Sequence, residues 1–194
     1  KIKEINHKNL AEDPLRVLRG YRIAAQLGLN FEKGTRNYLR KYSGGLKDVA
    51  SERITEELFK LLCTENAAYY LSICARDEIL NRILGISARK LKLNLILLSN
   101  FDHFLLNLNT NKFKKLFKIR LLPILKQNIG QGLNREGLIR LAILLNNLHR
   151  TTEYSHGNLK YSTTIKKRLL NILNSMRITG GRITVNRLYN IFSA

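Results

Sequence analysis

Apolar side chains recur at helical spacing along most of this 194-residue chain, and no other feature of the sequence constrains the fold as strongly. Only two prolines interrupt the pattern, and runs of alternating β-branched residues, which would indicate strands, are few. Hydrophobic residues make up 44% of the chain, which is enough for a buried core and argues against wholesale disorder. The pattern predicts an all-α fold, an array of short helices with no substantial sheet.

The clearest helix is predicted from Asp13 to Leu27. Asp13 is a residue type that caps helix N-termini, Pro14 suits the first helical position, and Gly28 suits the end. Further helices are predicted over 33–42, 51–64, 66–83, 88–107, 112–128, 135–149, 162–176 and 184–193. Pro123 is expected to bend or end the helix that contains it.

The charge of the chain is uneven. Lysine and arginine number 34 and aspartate and glutamate 14, which gives a net charge of +20. Residues 1–80 hold 14 basic and 11 acidic side chains, whereas residues 81–194 hold 20 basic and only three acidic ones. A compositional bias of the genome would add lysine throughout but would not remove acids from one half. The asymmetry therefore favours nucleic acid as the partner of the second half, and the thinning of acids near Gly85 predicts two units, 1–85 and 86–194.

Two basic clusters lie on predicted helices of the second half: Lys114, Lys115 and Lys118 in one, and Lys166, Lys167 and Arg168 in the other. The first helix is amphipathic, so its lysines fit three interpretations: the solvated face of a core helix, contact with an RNA backbone, or association with a membrane surface. Few aromatic residues lie nearby, which argues against stacking on single-stranded bases. We expect both clusters to contact the phosphates of a folded RNA.

Asp13 and Arg16 are three residues apart at the start of the clearest helix, so their side chains are neighbours on its surface. A carboxylate accepts hydrogen bonds and a guanidinium donates several, so the pair can face a base edge that offers an amino donor beside a ring acceptor. Cytosine and adenine present that order of groups, whereas guanine and uracil do not. The simpler alternative is that Asp13 only caps the helix and pairs with Arg16.

Three stretches, in order, carry a resemblance to a known family. They are Glu12-Asp13-Pro14-Leu15-Arg16-Val17-Leu18-Arg19 with its continuation to Gly28, then Leu46-Lys47-Asp48-Val49-Ala50, then Ser51-Glu52-Arg53-Ile54-Thr55-Glu56-Glu57-Leu58. The first matches the motif EDPLRxLR and the third matches the motif ERxxxEL of the class II tRNA nucleotidyltransferases, a family that includes CCA-adding enzymes and bacterial poly(A) polymerases. The chain resembles the neck and body of these enzymes.

The first motif implies a nucleotide-binding site. Asp13 and Arg16 match the positions that pair with the base of the incoming CTP or ATP, so the resemblance implies that they act as an amino-acid template. Glu12 and Arg19 match positions that support the nucleotide pocket. The resemblance implies that residues 1–85 are a neck that selects the nucleotide base.

The remaining implications concern scaffold and RNA. Arg53 and Glu57 match the motif that stabilises the neck, and their i,i+4 spacing permits an ion pair on one helix. Residues 86–194 are expected to form a basic body with part of the tail, and their partner is expected to be tRNA. The activity implied is addition of CCA, or part of it, to tRNA 3′ ends from CTP and ATP.

The chain also departs from the family. Nucleotidyl transfer in the family depends on metal-binding carboxylates of an N-terminal head domain, and no D-x-D pair occurs in this sequence. We therefore expect no catalytic residue, metal site or bound cofactor in this chain, and expect Mg²⁺ in a head domain on the same or a separate polypeptide. The chain begins with Lys1 and its single methionine is Met176, so we expect it to be part of a longer protein and inactive without such a head.

Several alternatives stay open. The sequence does not separate a CCA-adding enzyme from a CC-adding or A-adding one, from a poly(A) polymerase, or from a non-catalytic helical RNA-binding module. Two cysteines in a chain of this length suit a reducing compartment. No apolar run approaches the ~20 residues that cross a bilayer. We expect a cytoplasmic protein with no membrane partner.

Overall fold

The computed structural model describes residues 1–2, 8–32, 34–109, 115–146, 157 and 159–178. In these ranges the α-helices are α1 (Lys8–Glu12), α2 (Leu15–Leu27), α3 (Thr35–Tyr42), α4 (Ser51–Leu62), α5 (Ala67–Arg76), α6 (Ile79–Leu84), α7 (Ala88–Asn109), α8 (Lys115–Lys126), α9 (Arg135–Leu145) and α10 (Thr163–Ile178). A 3-10 helix, Ser43–Asp48, joins α3 to α4 and is called the connector below. Strands β1 (Asn128–Gly130) and β2 (Leu133–Asn134) pair antiparallel between α8 and α9. The predicted all-α fold is confirmed.

The core forms where the apolar faces of the helices meet. Helix α2 packs on α4 and α5, α5 packs on α7, and α9 packs on α4, α7 and α10. Val17, Leu18 and Tyr21 of α2 are fully buried, as are Ile165 and Leu169 of α10. Burying a side chain such as leucine contributes ~1.5–3 kcal/mol. Packing of these faces, more than helix propensity, therefore stabilises the array.

The helix predicted over 66–83 is instead two helices, α5 and α6. The buried Asp77 carboxylate lies at the break, where it accepts hydrogen bonds from the Tyr21 hydroxyl at 2.6 Å and from Arg36 Nη2 at 2.6 Å. The next residue, Glu78, has a left-handed φ of 62°. The tertiary contacts of Asp77 thus outweigh the helical periodicity around it.

Pro123 does not end α8, which continues to Lys126. Leu121 and Leu125, on either side of the proline, are fully buried. Their burial offsets the cost of ~3 kcal/mol for a proline inside a helix. The predicted helix over 184–193 lies outside the described residues. Among the described residues, no helix is both long and apolar enough to cross a membrane.

A buried ionic network joins the two halves of the chain. Arg140 of α9 is 1% exposed, and its Nε donates to Asp102 Oδ1 of α7 at 2.8 Å. Its Nη2 lies 2.7 Å from Glu136 Oε1, and its Nη1 donates to the Leu62 carbonyl of α4 at 2.7 Å. The other Asp102 oxygen accepts from the Ala68 amide at the start of α5 at 2.9 Å.

Two of the three acidic residues of the basic half are therefore inside the protein. Asp102 and Glu136 are buried, and Glu136 also pairs with Lys126 Nζ at 2.9 Å. Burial raises the pKa of Asp102, and the neighbouring Arg140 opposes that rise. Asp102 and Glu136 compensate the buried Arg140, and Glu136 also compensates the half-exposed Lys126, so little of their charge offsets the rest of the positive surface.

Candidate nucleotide-binding site

Asp13 lies at the junction between α1 and α2 and faces two guanidinium groups. Its Oδ2 is 3.6 Å from Arg16 Nε, and its Oδ1 is 3.7 Å from Arg53 Nη2 of α4. The Asp13 side chain is 26% exposed and the two arginines are about half exposed, at 44% and 54%. Both separations exceed an ordinary hydrogen bond, so the carboxylate can still accept from a closer donor.

The predicted helix cap at Asp13 is wrong. Pro14 occupies the N-cap position of α2, and no side chain there accepts a hydrogen bond from the first turn. The two arginines attract the Asp13 carboxylate instead, and they leave it at the surface. The predicted end of the helix is confirmed, because Gly28 adopts a left-handed φ of 63° and its amide donates to the Ala24 carbonyl.

Glu57 forms the second centre of the site, on the face of α4 that packs against α2. Its Oε2 accepts from Arg22 Nε at 2.7 Å, and its Oε1 lies 3.8 Å from Arg19 Nε. Lys60 Nζ donates to the same Oε1 at 3.3 Å. Arg22 also donates through Nη1 to Gln26 Oε1 at 2.6 Å. Glu57 is buried, so these partners compensate a charge that water does not reach.

The ion pair that the spacing of Arg53 and Glu57 permits is replaced by pairs between helices. In the described part of the chain, Arg53 contacts Asp13, and Glu57 contacts Arg19 and Arg22. Arg53 and Glu57 of the ERxxxEL motif therefore contact α2 or Asp13, which lies two residues before it. Their contacts fit a scaffold role, because they fix α2 against α4.

Positive charge predominates at this surface. The two carboxylates, Asp13 and Glu57, are surrounded by the side chains of Arg16, Arg19, Arg22, Arg53 and Lys60. Glu12, at the end of α1, is exposed beside them along the chain. A group that carries phosphates is attracted to such a surface, and the Asp13 carboxylate supplies an acceptor at its edge.

The residues predicted to bind RNA lie elsewhere in the chain. Lys166, Lys167 and Arg168 are exposed on α10, whose opposite face is buried. Lys114 lies outside the described residues, as do the side chains of Lys115 and Lys118, which belong to α8. The structure thus brings together the residues of the EDPLRxLR and ERxxxEL motifs. It places Lys166, Lys167 and Arg168 on a separate helix, α10.

Two contributors to this surface were not predicted. Arg22 makes the shortest contact with Glu57, and its position three residues after Arg19 was a usable signal. Lys160 Nζ lies 2.6 Å from Glu52 Oε1 of α4, and its backbone amide donates to Thr55 Oγ1 at 2.8 Å. No local pattern could have predicted a contact between residues so far apart in sequence.

The described residues contain no group of three or more His, Cys, Asp or Glu side chains that could hold a metal ion. The two cysteines are unpaired with each other, and burial raises the pKa of both thiols. Cys74 is buried, whereas Cys63 is partly exposed and its thiol donates to Asn134 Oδ1 at 3.3 Å.

Comparisons with known proteins found a family model and several similar proteins. A protein-family model described as "Probable RNA and SrmB- binding site of polymerase A" matches residues 28–86. A CC-adding tRNA nucleotidyltransferase of Synechocystis sp. is 40% identical over 79 residues, which are 41% of this chain and 19% of that protein. A CCA-adding enzyme of Leuconostoc mesenteroides subsp. mesenteroides is 37% identical over 78 residues, which are 40% of this chain and 20% of that protein.

The fold is shared with a solved structure. The Thermotoga maritima CCA-adding enzyme complexed with tRNA is similar with a TM-score of 0.56 and 14% identity, over 99% of this chain and 47% of that one. At this identity the similarity shows the fold alone. The matched segments span about a fifth of the length of the curated relatives, and the chain spans less than half of the solved structure. The resemblance predicted from the motifs is confirmed: part of the chain is similar in sequence to CC-adding and CCA-adding tRNA nucleotidyltransferases.

Proposed function

We propose that this chain is the nucleotide-selecting and tRNA-binding part of a nucleotidyltransferase that adds CCA, or part of it, to tRNA 3′ ends from CTP and ATP. The observation that carries the proposal is the Asp13–Arg16 pair. A carboxylate and a guanidinium lie 3.6 Å apart, both partly exposed, within the motif that the family resemblance assigns to base selection. The five cations around Asp13 and Glu57 would favour the triphosphate of the same nucleotide.

Selection would follow from the order of donors and acceptors. The exocyclic amine of cytosine or adenine donates to the Asp13 carboxylate, while Arg16 donates to the adjacent ring nitrogen. Uracil and guanine place a carbonyl oxygen opposite the carboxylate and a ring N–H opposite the guanidinium. Both contacts would then be mismatched, so these bases would be rejected by repulsion as well as by lost hydrogen bonds. Glu12 and Arg19 would support the pocket.

The basic second half would bind the tRNA backbone. Asp102 and Glu136 are buried, and they pair with Arg140 and Lys126, so two of the three acidic residues of this half are already paired with cations of the same half. Lys166, Lys167 and Arg168 present three adjacent cations on α10. Lys114, Lys115 and Lys118 remain predicted contacts in the same role. Such contacts recognise the shape and phosphates of a folded RNA.

Catalysis would need a head domain, on the same or a separate polypeptide. The described residues offer no metal-binding cluster, so they do not fit the Mg²⁺ that the family resemblance implies, and no step is assigned to a metal held by them. This chain would select the nucleotide and hold the tRNA, and it would be inactive alone. A cytoplasmic location stays a prediction.

The test is nucleotide choice in the native protein that carries this chain. Asp13→Ala and Arg16→Ala should each raise incorporation of U and G relative to C and A. Glu56→Ala and Arg89→Ala are matched controls, because both side chains are exposed outside the Asp13–Arg16 pair. Unchanged selection in both site variants would overturn the proposal and favour a non-catalytic RNA-binding module. Incorporation of A without C by the unaltered protein would favour an A-adding enzyme if one A is added, and a poly(A) polymerase if many are added.

A further inference from the structure

The connector crosses the start of α2 at a distance that only glycine permits. A Cβ atom built on Gly45 would lie 2.6 Å from Pro14 Cγ and 2.9 Å from Pro14 Cβ. Both distances are shorter than side chains tolerate. The φ of Gly45 lies outside the left-handed region, so the backbone conformation does not by itself require glycine. The requirement comes from the contact with Pro14.

The connector is held in place on its other side. Leu46 is 2% exposed within the core, and the Ser43 hydroxyl donates to the Arg40 carbonyl at 2.7 Å. The connector also contacts α3 and α6. A side chain at position 45 would therefore displace Pro14 more readily than it would displace the connector.

Pro14 is joined directly to the residues that read the base. It follows Asp13 in the chain, and its carbonyl accepts from the Val17 amide at 3.0 Å in the first turn of α2. The Arg16 amide donates to the Asp13 carbonyl at 3.0 Å in the same turn. The rest of α2 is fixed by buried side chains and by the contact between Arg22 and Glu57. Displacement of Pro14 would thus be concentrated at Asp13.

We propose that Gly45 is a positioning residue for nucleotide selection: its missing side chain lets the connector hold Pro14 and so fixes the Asp13 carboxylate relative to Arg16 and Arg53. This inference rests on the proposed function of the Asp13–Arg16 pair. Gly45 touches neither the nucleotide nor the reacting atoms. It acts through Pro14, and a substitution there changes discrimination among nucleotides rather than the rate with all of them.

The experiment compares Gly45→Ala with Gly44→Ala in the native protein. A Cβ on Gly44 meets only Arg82 Nη1 at 3.8 Å, an ordinary contact with a flexible side chain, so this variant is a matched control. The measured quantities are kcat/KM for CTP against UTP and for ATP against GTP, with thermal unfolding recorded for each variant. Gly45→Ala should lower both ratios by about tenfold, and Gly44→Ala should leave them unchanged.

A double variant tests whether the effect passes through Pro14. Pro14→Ala removes Cγ, the atom closest to the added methyl group. Combined with Gly45→Ala, it should restore part of the lost discrimination, so the two changes will not be additive. Additive losses would overturn the positioning role. If Gly45→Ala alone fails to fold, the double variant is compared with Pro14→Ala: recovery of folding with discrimination close to that of Pro14→Ala is expected, and discrimination about tenfold lower than in Pro14→Ala would contradict the route through Pro14.

The outcomes separate this inference from the function on which it rests. If Asp13→Ala relaxes selection and Gly45→Ala does not, the positioning role is overturned and the proposed function stands. If Gly45→Ala lowers kcat/KM equally with all four nucleotides, the contact is only structural and the inference is again overturned. If Asp13→Ala leaves selection unchanged, the proposed function fails and the positioning role fails with it.

Discussion

Arg53 Nη2 lies 3.7 Å from Asp13 Oδ1 and joins two motifs that are forty residues apart in the sequence. The contact leaves the second oxygen of Asp13 toward Arg16, at 3.6 Å. Arg53 therefore lies near one oxygen of the Asp13 carboxylate, and Arg16, the proposed partner of Asp13 in base selection, lies near the other. A residue that the family resemblance assigns to the scaffold thus contacts the group proposed to read the base.

Arg53→Ala should relax nucleotide selection without unfolding the protein. The side chain is 54% exposed and an exposed ion pair contributes below ~1 kcal/mol. We expect discrimination between CTP and UTP to fall about fivefold, the factor to which ~1 kcal/mol corresponds. The measurement is kcat/KM with each nucleotide, and Arg89→Ala, exposed on α7, is the control. Selection unchanged in Arg53→Ala would mean that the contact does not orient Asp13.

Glu57→Gln should destabilise the packing of α2 on α4. The Glu57 side chain is 6% exposed and faces three cations, so the substitution leaves Arg19, Arg22 and Lys60 without their shared carboxylate. We expect a loss of ~1–3 kcal/mol in the free energy of unfolding, the usual cost of an unsatisfied buried partner. Urea unfolding would measure it, with Glu56→Gln as the exposed control on the same helix. Equal stability of the two variants would contradict the role given to Glu57.

These contacts show how far the sequence could predict the site. Helical spacing correctly predicted that Asp13 and Arg16 are neighbours, because neighbours within a helix follow from its period. Spacing failed for the expected pair of Arg53 with Glu57, because Arg19 and Arg22 of another helix contact Glu57 instead. It failed again for Asp13, because the capping preference of aspartate is weaker than the attraction of two arginines that only the fold brings near.

Most helices of the array could also be predicted from spacing within the sequence, whereas the break between α5 and α6 could not. Apolar periodicity predicted α2, α4 and α10, because the spacing of apolar residues within each helix determines which face is buried. The break between α5 and α6 depends on Asp77, which binds Tyr21 and Arg36 from distant segments. The Gly45 contact with Pro14 likewise depends on two segments that meet only in the folded chain.

Arg140→Met should destabilise the whole array, because it leaves the buried Asp102 without its cation and Glu136 with only Lys126. Removing one partner of a buried ionic network costs ~3–5 kcal/mol, whereas Arg89→Met on the surface should change stability little. The loss should also depend on pH. Burial raises the pKa of Asp102, and the positive charge of Arg140 opposes that rise. Arg140→Met should therefore raise the pKa of Asp102 further.

Proton linkage gives the direction in which the free energy of unfolding of Arg140→Met changes with pH. A carboxyl whose folded pKa exceeds its unfolded value binds a proton more readily in the folded state, so stability increases as pH falls toward the unfolded value of ~3.9. The difference in unfolding free energy between wild type and Arg140→Met should therefore shrink between pH 7 and pH 5. Denaturant titrations at both pH values would measure it. A difference that stays constant or grows would contradict the assigned network.

Binding of tRNA should weaken steeply with salt, because contacts to phosphates release counterions. Replacing Lys166, Lys167 and Arg168 with alanine should reduce the slope of log K against log salt by up to ~0.9 per lost phosphate contact. A charge-preserving control is Lys166→Arg, Lys167→Arg and Arg168→Lys, which should keep the slope. Filter binding or fluorescence anisotropy at four salt concentrations would measure the slope for each variant. An unchanged slope in the alanine variant would exclude α10 from the RNA interface.

The central claim is that Asp13 and Arg16 read the incoming base, and Asp13→Asn tests it most directly. The amide keeps the size of the side chain but can donate as well as accept, so the repulsion that rejects uracil and guanine is lost. The measurement is single-turnover incorporation of each of the four nucleotides by the native protein on its tRNA substrate. Incorporation of U and G should rise relative to that of C and A. An equal decrease with all four nucleotides, with the order of preference kept, would contradict it.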